Sequence, residues 1–151
     1  MEFCKPTLKE IDEMIALVAP EVDKGIILPR SAEEMANTIR SYYVAKEKGE
    51  IIGFCALYIY SPILAEVRSL IVREDFRSQG VGKSLVALLL QEGKNLGIKE
   101  VLVLTYQESF FKSLGFNVIE KEEIPNPKIW TDCIKCKHFP KCNEIALLKK
   151  I

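Results

Sequence analysis

Apolar residues recur at helical intervals at Leu8, Ile11, Met14, Ile15 and Val18, behind a Thr7/Glu10 pair with capping-box spacing. This predicts a first helix that stops at Pro20. Ser31 and Glu34 repeat the spacing, and Met35, Ile39 and Tyr42 carry the apolar stripe of a second helix. The rhythm then changes. Residues 43–46 and 51–60 are β-branched and aromatic runs separated by Glu47-Lys48-Gly49-Glu50, which predicts an antiparallel hairpin. Residues 66–72 read as a further strand, broken by Arg73-Glu74-Asp75. From residue 81 to 96, Val81, Leu85, Leu88, Leu89 and Leu96 return to helical spacing, and Gly97 stands where a C-terminal cap belongs. Residues 98–105 hold Val101-Leu102-Val103-Leu104, a run suited to a strand covered on both faces. A short helix over 108–114, closed by Gly115, leads into a strand over 116–120. Two helices, antiparallel strands, then strand-helix-strand-helix-strand predict a mixed α/β (α+β) fold: one domain over residues 1–151, a central sheet flanked by helices.

Composition narrows the function. A chain of 151 residues, 48% hydrophobic, is one ordinary domain with material for one core. Its 21 basic and 21 acidic residues cancel, so no overall charge points to nucleic acid or an anionic membrane as partner. The apolar runs over 51–59 and 86–90 fall short of the roughly 20 residues of a membrane span. The first six residues lack the charged and apolar regions of an export signal, so a cytoplasmic location is expected. Five cysteines in such a chain point to reduced thiols rather than a disulfide framework.

The chemistry gathers where the strand ending at Val72 passes through Arg77-Ser78-Gln79-Gly80-Val81-Gly82-Lys83-Ser84 into the apolar helix. Glycines there let the backbone approach an anion, and the helix start offers unpaired N–H groups and a positive dipole end. A Walker A loop would need glycine where Arg77 stands, and the dinucleotide fingerprint would need it at Leu85. Both are excluded. The segment Arg77 to Gly82 resembles the [Q/R]-x-x-G-x-[G/A] motif of the GNAT superfamily of N-acetyltransferases. Phe110-Phe111-Lys112-Ser113-Leu114-Gly115-Phe116 is similar to that family's later F-[YF]-x-x-x-G-F segment. The resemblance implies a GNAT-like fold and acetyl-coenzyme A as cosubstrate. Backbone amides from Ser78 to Lys83 would hold its pyrophosphate, and Leu70, Ile71 and Val72 would pair with its pantetheine arm like an added strand. Arg77, Gln79, Gly80, Val81, Gly82, Ser84 and Phe111 complete the implied coenzyme site. The alternative is that Gly80 and Gly82 merely serve a strand-to-helix turn.

The likeness extends to Leu28-Pro29-Arg30-Ser31, to the strand Ala65-Glu66-Val67-Arg68-Ser69-Leu70-Ile71-Val72, to Leu104-Thr105-Tyr106-Gln107, and to a cysteine-containing segment over 128–143. These look like short amino-acid N-acetyltransferases of the N-acetylglutamate synthase type. The resemblance implies acetyl transfer to the α-amino group of L-glutamate, the entry step of arginine biosynthesis. A dicarboxylate substrate asks for arginines, which grip a carboxylate with two parallel hydrogen bonds. Arg30 is the first candidate and Arg68 the second, with a solvated charge or an ion pair as the alternative for each. Glu66 stands where the superfamily often carries a carboxylate base, the alternative being a surface acid paired with Arg68. A backbone N–H near Leu70 or Ile71 could stabilise the oxyanion. The family's tyrosine proton donor is replaced by Phe111, so coenzyme A leaves as a thiolate or takes a proton from Tyr106, Ser109 or water. Two other readings stay open: another small amine, polyamine or protein N-terminus as acceptor, and a silent acyl-coenzyme A sensor. The resemblance also makes a homodimer possible.

Cys133, Cys136, His138 and Cys142 carry the ligand types of a Cys3His zinc site. All four fall within ten residues, whereas structural zinc sites separate two close pairs, so no metal is expected and reduced cysteines are the preferred reading.

Overall fold

A computed structural model describes residues 1–124 and 144–151. Its seven described strands form one sheet in the order β1-β2-β3-β4-β5-β7-β6. β1 (Glu2–Cys4) lies at one edge, antiparallel to β2 (Tyr42–Glu47). α1 (Ile11–Asp23) and α2 (Ala32–Asn37) fill the connection between them.

Both capping boxes are present. The Thr7 N–H donates to Glu10 Oε1 at 2.8 Å ahead of a 3-10 turn over Leu8–Glu10, and the Glu34 N–H donates to Ser31 Oγ at 3.1 Å. α1 does not stop at Pro20, which lies inside it. Proline removes a donor but keeps its acceptor, and the Pro20 carbonyl accepts from the Lys24 N–H at 3.2 Å to close the last turn. Tyr42 does not continue the second helix. It begins β2, buried to 3% exposure and paired with Ala56.

β2 and β3 (Glu50–Ile59) make the expected hairpin. Lys48 (φ 52°) and Gly49 (φ 81°) both take positive φ, as a two-residue type I′ turn requires. β4 (Leu64–Val72) returns antiparallel to β3, and α3 (Val81–Leu96) crosses to β5 (Glu100–Thr105), parallel to β4. α4 (Glu108–Ser113) leads to β6 (Asn117–Ile119), and β7 (Ile145–Lys150) inserts antiparallel between β5 and β6.

Helices cover both faces of the sheet. Leu85 and Leu89 of α3 pack with Val101, Val103, Phe111 and Phe116 on one side, while Met14, Met35, Val44 and Phe54 fill the other. Val101 and Leu102 are fully buried on opposite faces of β5, so this strand is covered on both sides.

Two irregularities shape the middle of the sheet. β4 and β5 pair only at Leu64↔Glu100, Ala65↔Val101 and Glu66↔Leu102. Opposite β3, Ala56 faces Arg68 but Phe54 faces Ile71, so β4 carries one extra residue, with Ser69 at φ 56°. A bulge of this kind bends its strand, and here it lies where the ladder to β5 has ended.

Candidate active site

Beyond Glu66 and Leu102 a cavity of about 480 Å³ opens, walled by the end of β4, the end of β5 and the start of α3. Gly80 caps α3 in the left-handed conformation (φ 83°), and Ser78 two residues earlier has φ 64°. The Ser84 N–H donates to the Gly80 carbonyl at 3.0 Å and begins the helical ladder. The amides of Val81, Gly82 and Lys83 precede it in the first turn, where no helical carbonyl can meet them. Gly82 sits close against Phe110, whose ring would lie 3.4 Å from any Cβ there. Arg77 fastens the loop, with Nε donating to the Val72 carbonyl at 2.8 Å and its other end 3.6 Å from Glu21 of α1. With Lys83 on the same wall, the donors suit a diphosphate beside an apolar chain.

Most of the expected coenzyme residues meet here: Leu70, Ile71, Val72, Arg77, Ser78, Gly80, Val81, Gly82, Lys83 and Phe111 all line the cavity. Gln79 and Ser84 do not. The Gln79 side-chain amide turns back to the Asp75 carbonyl at 3.3 Å, and the Ser84 amide is held within the helix.

Glu66 lies on the same cavity, at 2% exposure. It is not at the surface, although it has the Arg68 pairing of the alternative reading. The Tyr60 hydroxyl donates to its Oε1 at 2.7 Å, and Arg68 Nε donates to the same oxygen at 3.2 Å. Arg68 is itself enclosed: its guanidinium carbon stands 3.6 Å over the centre of the Tyr58 ring, and Nη2 reaches the Tyr60 hydroxyl at 3.4 Å. β-Strand alternation puts Glu66 and Arg68 on one face, and the antiparallel register places Tyr58 opposite Glu66.

Arg30 joins the cavity from the segment between α1 and α2. Burial pushes the Tyr42 phenol above its ordinary range, opposed first by the positive charge of Arg30, then by a Thr38 hydrogen bond and the charge of Arg68.

The two expected hydroxyl donors part company. Tyr106 lines the cavity, whereas Ser109 is exposed on α4 and does not. Thr105 Oγ1 accepts from the Gln107 N–H at 2.9 Å and shapes the turn that presents Tyr106. Phe111 is buried in an edge-to-face cluster with Phe110 (5.0 Å) and Phe116 (5.3 Å), a hydrocarbon environment that transfers no proton. The zinc candidates Cys133, Cys136, His138 and Cys142 lie outside the described residues, among which no group of three potential metal ligands occurs.

Tyr58, Tyr60, Glu21 and Phe110 carry no sequence expectation as site residues. Tyr58 and Tyr60 did leave a signal: they alternate on the hairpin strand that pairs with the Glu66 strand.

A family model described as acetyltransferase (GNAT) family matches residues 11–116. The chain is 46% identical over 132 residues to an uncharacterized N-acetyltransferase of Chlorobaculum tepidum, covering 85% of this chain and 82% of that protein. It is 31% identical over 121 residues to an amino-acid acetyltransferase of Aeromonas salmonicida, covering 79% of this chain and 27% of the other. Among solved structures, an N-acetylglutamate synthase from Neisseria gonorrhoeae, complexed with coenzyme A and N-acetyl-glutamate, superimposes with a TM-score of 0.86 at 22% identity, over 99% of this chain and 34% of that one. The chain thus spans roughly a quarter to a third of these last two proteins, and the structural likeness is one of fold.

Proposed function

The chain belongs to the acetyltransferase (GNAT) family, and from that premise we propose that it acetylates the α-amino group of L-glutamate. It is an acetyl-coenzyme A-dependent N-acetyltransferase; the acceptor is the step we infer. One observation carries it: a buried carboxylate, Glu66, and a guanidinium, Arg30, share a cavity whose other end is the α3 anion cradle. That arrangement suits a zwitterionic acceptor, with an amine to deprotonate and a carboxylate to grip.

Bound acetyl-coenzyme A supplies an acyl thioester. The α3 amides and Lys83 hold its diphosphate, and the bulged end of β4 leaves the backbone of Leu70 to Val72 unpaired with β5 and able to receive its arm. Arg30 holds an acceptor carboxylate through two parallel hydrogen bonds. Glu66 takes one proton from the acceptor ammonium, directly or through water, which frees the lone pair for attack on the thioester carbon. A base so placed contributes about 10²–10⁴-fold. A backbone N–H at Leu70 or Ile71 meets the charge growing on the carbonyl oxygen. As the new C–N bond replaces the C–S bond, the nitrogen sheds its second proton and sulfur leaves as thiolate, because Phe111 has no proton to give; that second proton reaches the thiolate through water, with Tyr106 the hydroxyl on the cavity wall that can relay it.

Coenzyme A release with L-glutamate, compared with D-glutamate, aspartate, glutamine, lysine and spermidine, tests the acceptor. Turnover confined to L-glutamate, with KM raised about 10-fold or more in Arg30→Ala, is expected from the loss of a charge-assisted pair. Preference for another amine would overturn glutamate and leave acetyl transfer standing.

A further inference from the structure

The enclosure of Arg68 gives it a task other than gripping substrate. A guanidinium that clamps a carboxylate must offer a free edge of its planar fork. The Nε edge of Arg68 is turned onto Glu66, an Nη faces Tyr60, one flat side lies on the Tyr58 ring, and the side chain is 9% exposed. Glu66, in turn, is a carboxylate with 3% side-chain exposure, and a charge so far from water persists only when paired and hydrogen-bonded. Tyr60 and Arg68 meet that need, converging on one oxygen from two directions.

We infer that Tyr60 and Arg68 are positioning residues for the Glu66 base, holding its carboxylate fixed against the cavity, and that Arg30 rather than Arg68 meets the acceptor. The ring of Tyr58 completes the device by packing against the guanidinium, 3.6 Å from its central carbon, while Nε meets Glu66. Tyr60 reaches the same place because it follows the last residue of β3, two positions beyond Tyr58, with the two rings 4.9 Å from centre to centre. The inference rests on Glu66 being the base of the proposed reaction. It separates two arginines that sequence alone leaves as rivals for one carboxylate.

Two measurements on the full chain decide it. The first uses no acceptor. The Arg68 Nε–Hε resonance in a ¹⁵N-correlated spectrum, identified by its loss in Arg68→Lys, should move in both Glu66→Gln and Tyr60→Phe. An unmoved resonance in Glu66→Gln would overturn the inference whatever the acceptor proves to be. The second is steady-state kinetics with whichever amine of the panel the native protein uses. Tyr60→Phe and Arg68→Lys should lower kcat about 10–100-fold, the worth of a hydrogen bond to a charged group, while acceptor KM changes less than about 3-fold. Tyr60→Phe in a Glu66→Gln background should cost nothing more, since the group it orients is gone. Raised acceptor KM with kcat preserved in Arg68→Lys would make Arg68 a substrate ligand, and unchanged kcat in Tyr60→Phe would remove Tyr60 from the device; either result overturns the inference. Tyr60→Phe deletes one hydroxyl and keeps the ring, so it folds even where an Arg68 variant fails. If the native protein ignores L-glutamate but another amine gives this same pattern, only the acceptor assignment falls.

Discussion

Ser69 shows how one backbone angle builds this site. At φ 56° it stands in the left-handed region, where an L side chain is strained, and it does so at the extra residue of the β4 bulge. The strand before it carries Glu66 and Arg68 on one face; after it, Ile71 packs into the α1–α2 side of the core. Such strain costs on the order of 1–3 kcal/mol and is characteristic of functional sites. Ser69→Gly should therefore keep or slightly raise stability, by up to about 1 kcal/mol. Ser69→Val, β-branched, should lower it by about 1–2 kcal/mol and also lower turnover, because relief of strain would remove the bulge. Urea unfolding of the three proteins checks both; equal midpoints would show that the angle is not what holds the strand end apart. The bulge was foreseeable only as a possibility. Nothing in Arg68-Ser69-Leu70 departs from an ordinary strand, and the added residue appears only when β3 is laid beside β4.

Elements are legible in the sequence in proportion to their local signal. α3 begins at Val81 and ends at Leu96 as its apolar spacing and Gly97 require, with Gly97 at φ 95°. The strand β7 carries no expectation because its six residues hold neither a turn signal nor a long alternation, and its place depends on partners more than 25 residues away. Gly53 was equally silent, yet it sets how close β3 comes to the site: a Cβ there would lie 2.9 Å from the Ile71 carbonyl oxygen and 3.5 Å from Val81. Gly53→Ala must push on backbone at the end of β4, while it only touches the first residue of α3. Acetyl-coenzyme A KM should rise several-fold with less change in acceptor KM, and stability should fall by about 1–3 kcal/mol. A wild-type KM with only the stability loss would confine Gly53 to packing. Far from the cavity, Lys46 of β2 holds Glu10 ahead of α1 at 2.5 Å. Burial acts against the charged Glu10, but hydrogen bonds from Lys46 and Thr7 outweigh it and lower its pKa below the ordinary 4.5. A lowered carboxylate adds stability that is fully present above its unfolded value and is lost as pH falls through the folded one. Glu10→Gln should thus weaken the protein at pH 7 and narrow its difference from wild type as pH falls from 4.5 through the lowered folded value, where the native carboxylate takes up its proton. Parallel unfolding curves at all pH values would mean the pair contributes nothing.

At the scale of the molecule, the cavity is a division in the sheet. β1 to β4 with α1 and α2 form one part, and β5 to β7 with α4 the other, joined by three paired positions of β4 and β5 and by α3. Alternation and spacing announced the order of most elements and the anion cradle, since both are local properties. Of the Glu66 partners, Arg68 was legible from strand alternation, whereas Tyr60 and the Tyr58 ring that backs Arg68 were not, because they come from β3 and the residue after it and depend on register. A ligand bridging the division should act on both parts together. Coenzyme A set on the α3 amides and along Leu70 to Val72 would tie the free end of β4 to the start of α3 without needing the acceptor residues. At 100 times its Kd it should stabilise the protein by about 2.7 kcal/mol, seen as a rise in Tm. Amide exchange should slow at residues 69–72 and 81–83 and stay unchanged in the β2–β3 hairpin, whose strands do not line the cavity. Exchange slowed evenly through the hairpin would show global tightening instead. No slowing at 81–83 would place the diphosphate elsewhere, and the α3 cradle would then be only the turn that its two glycines could otherwise have served.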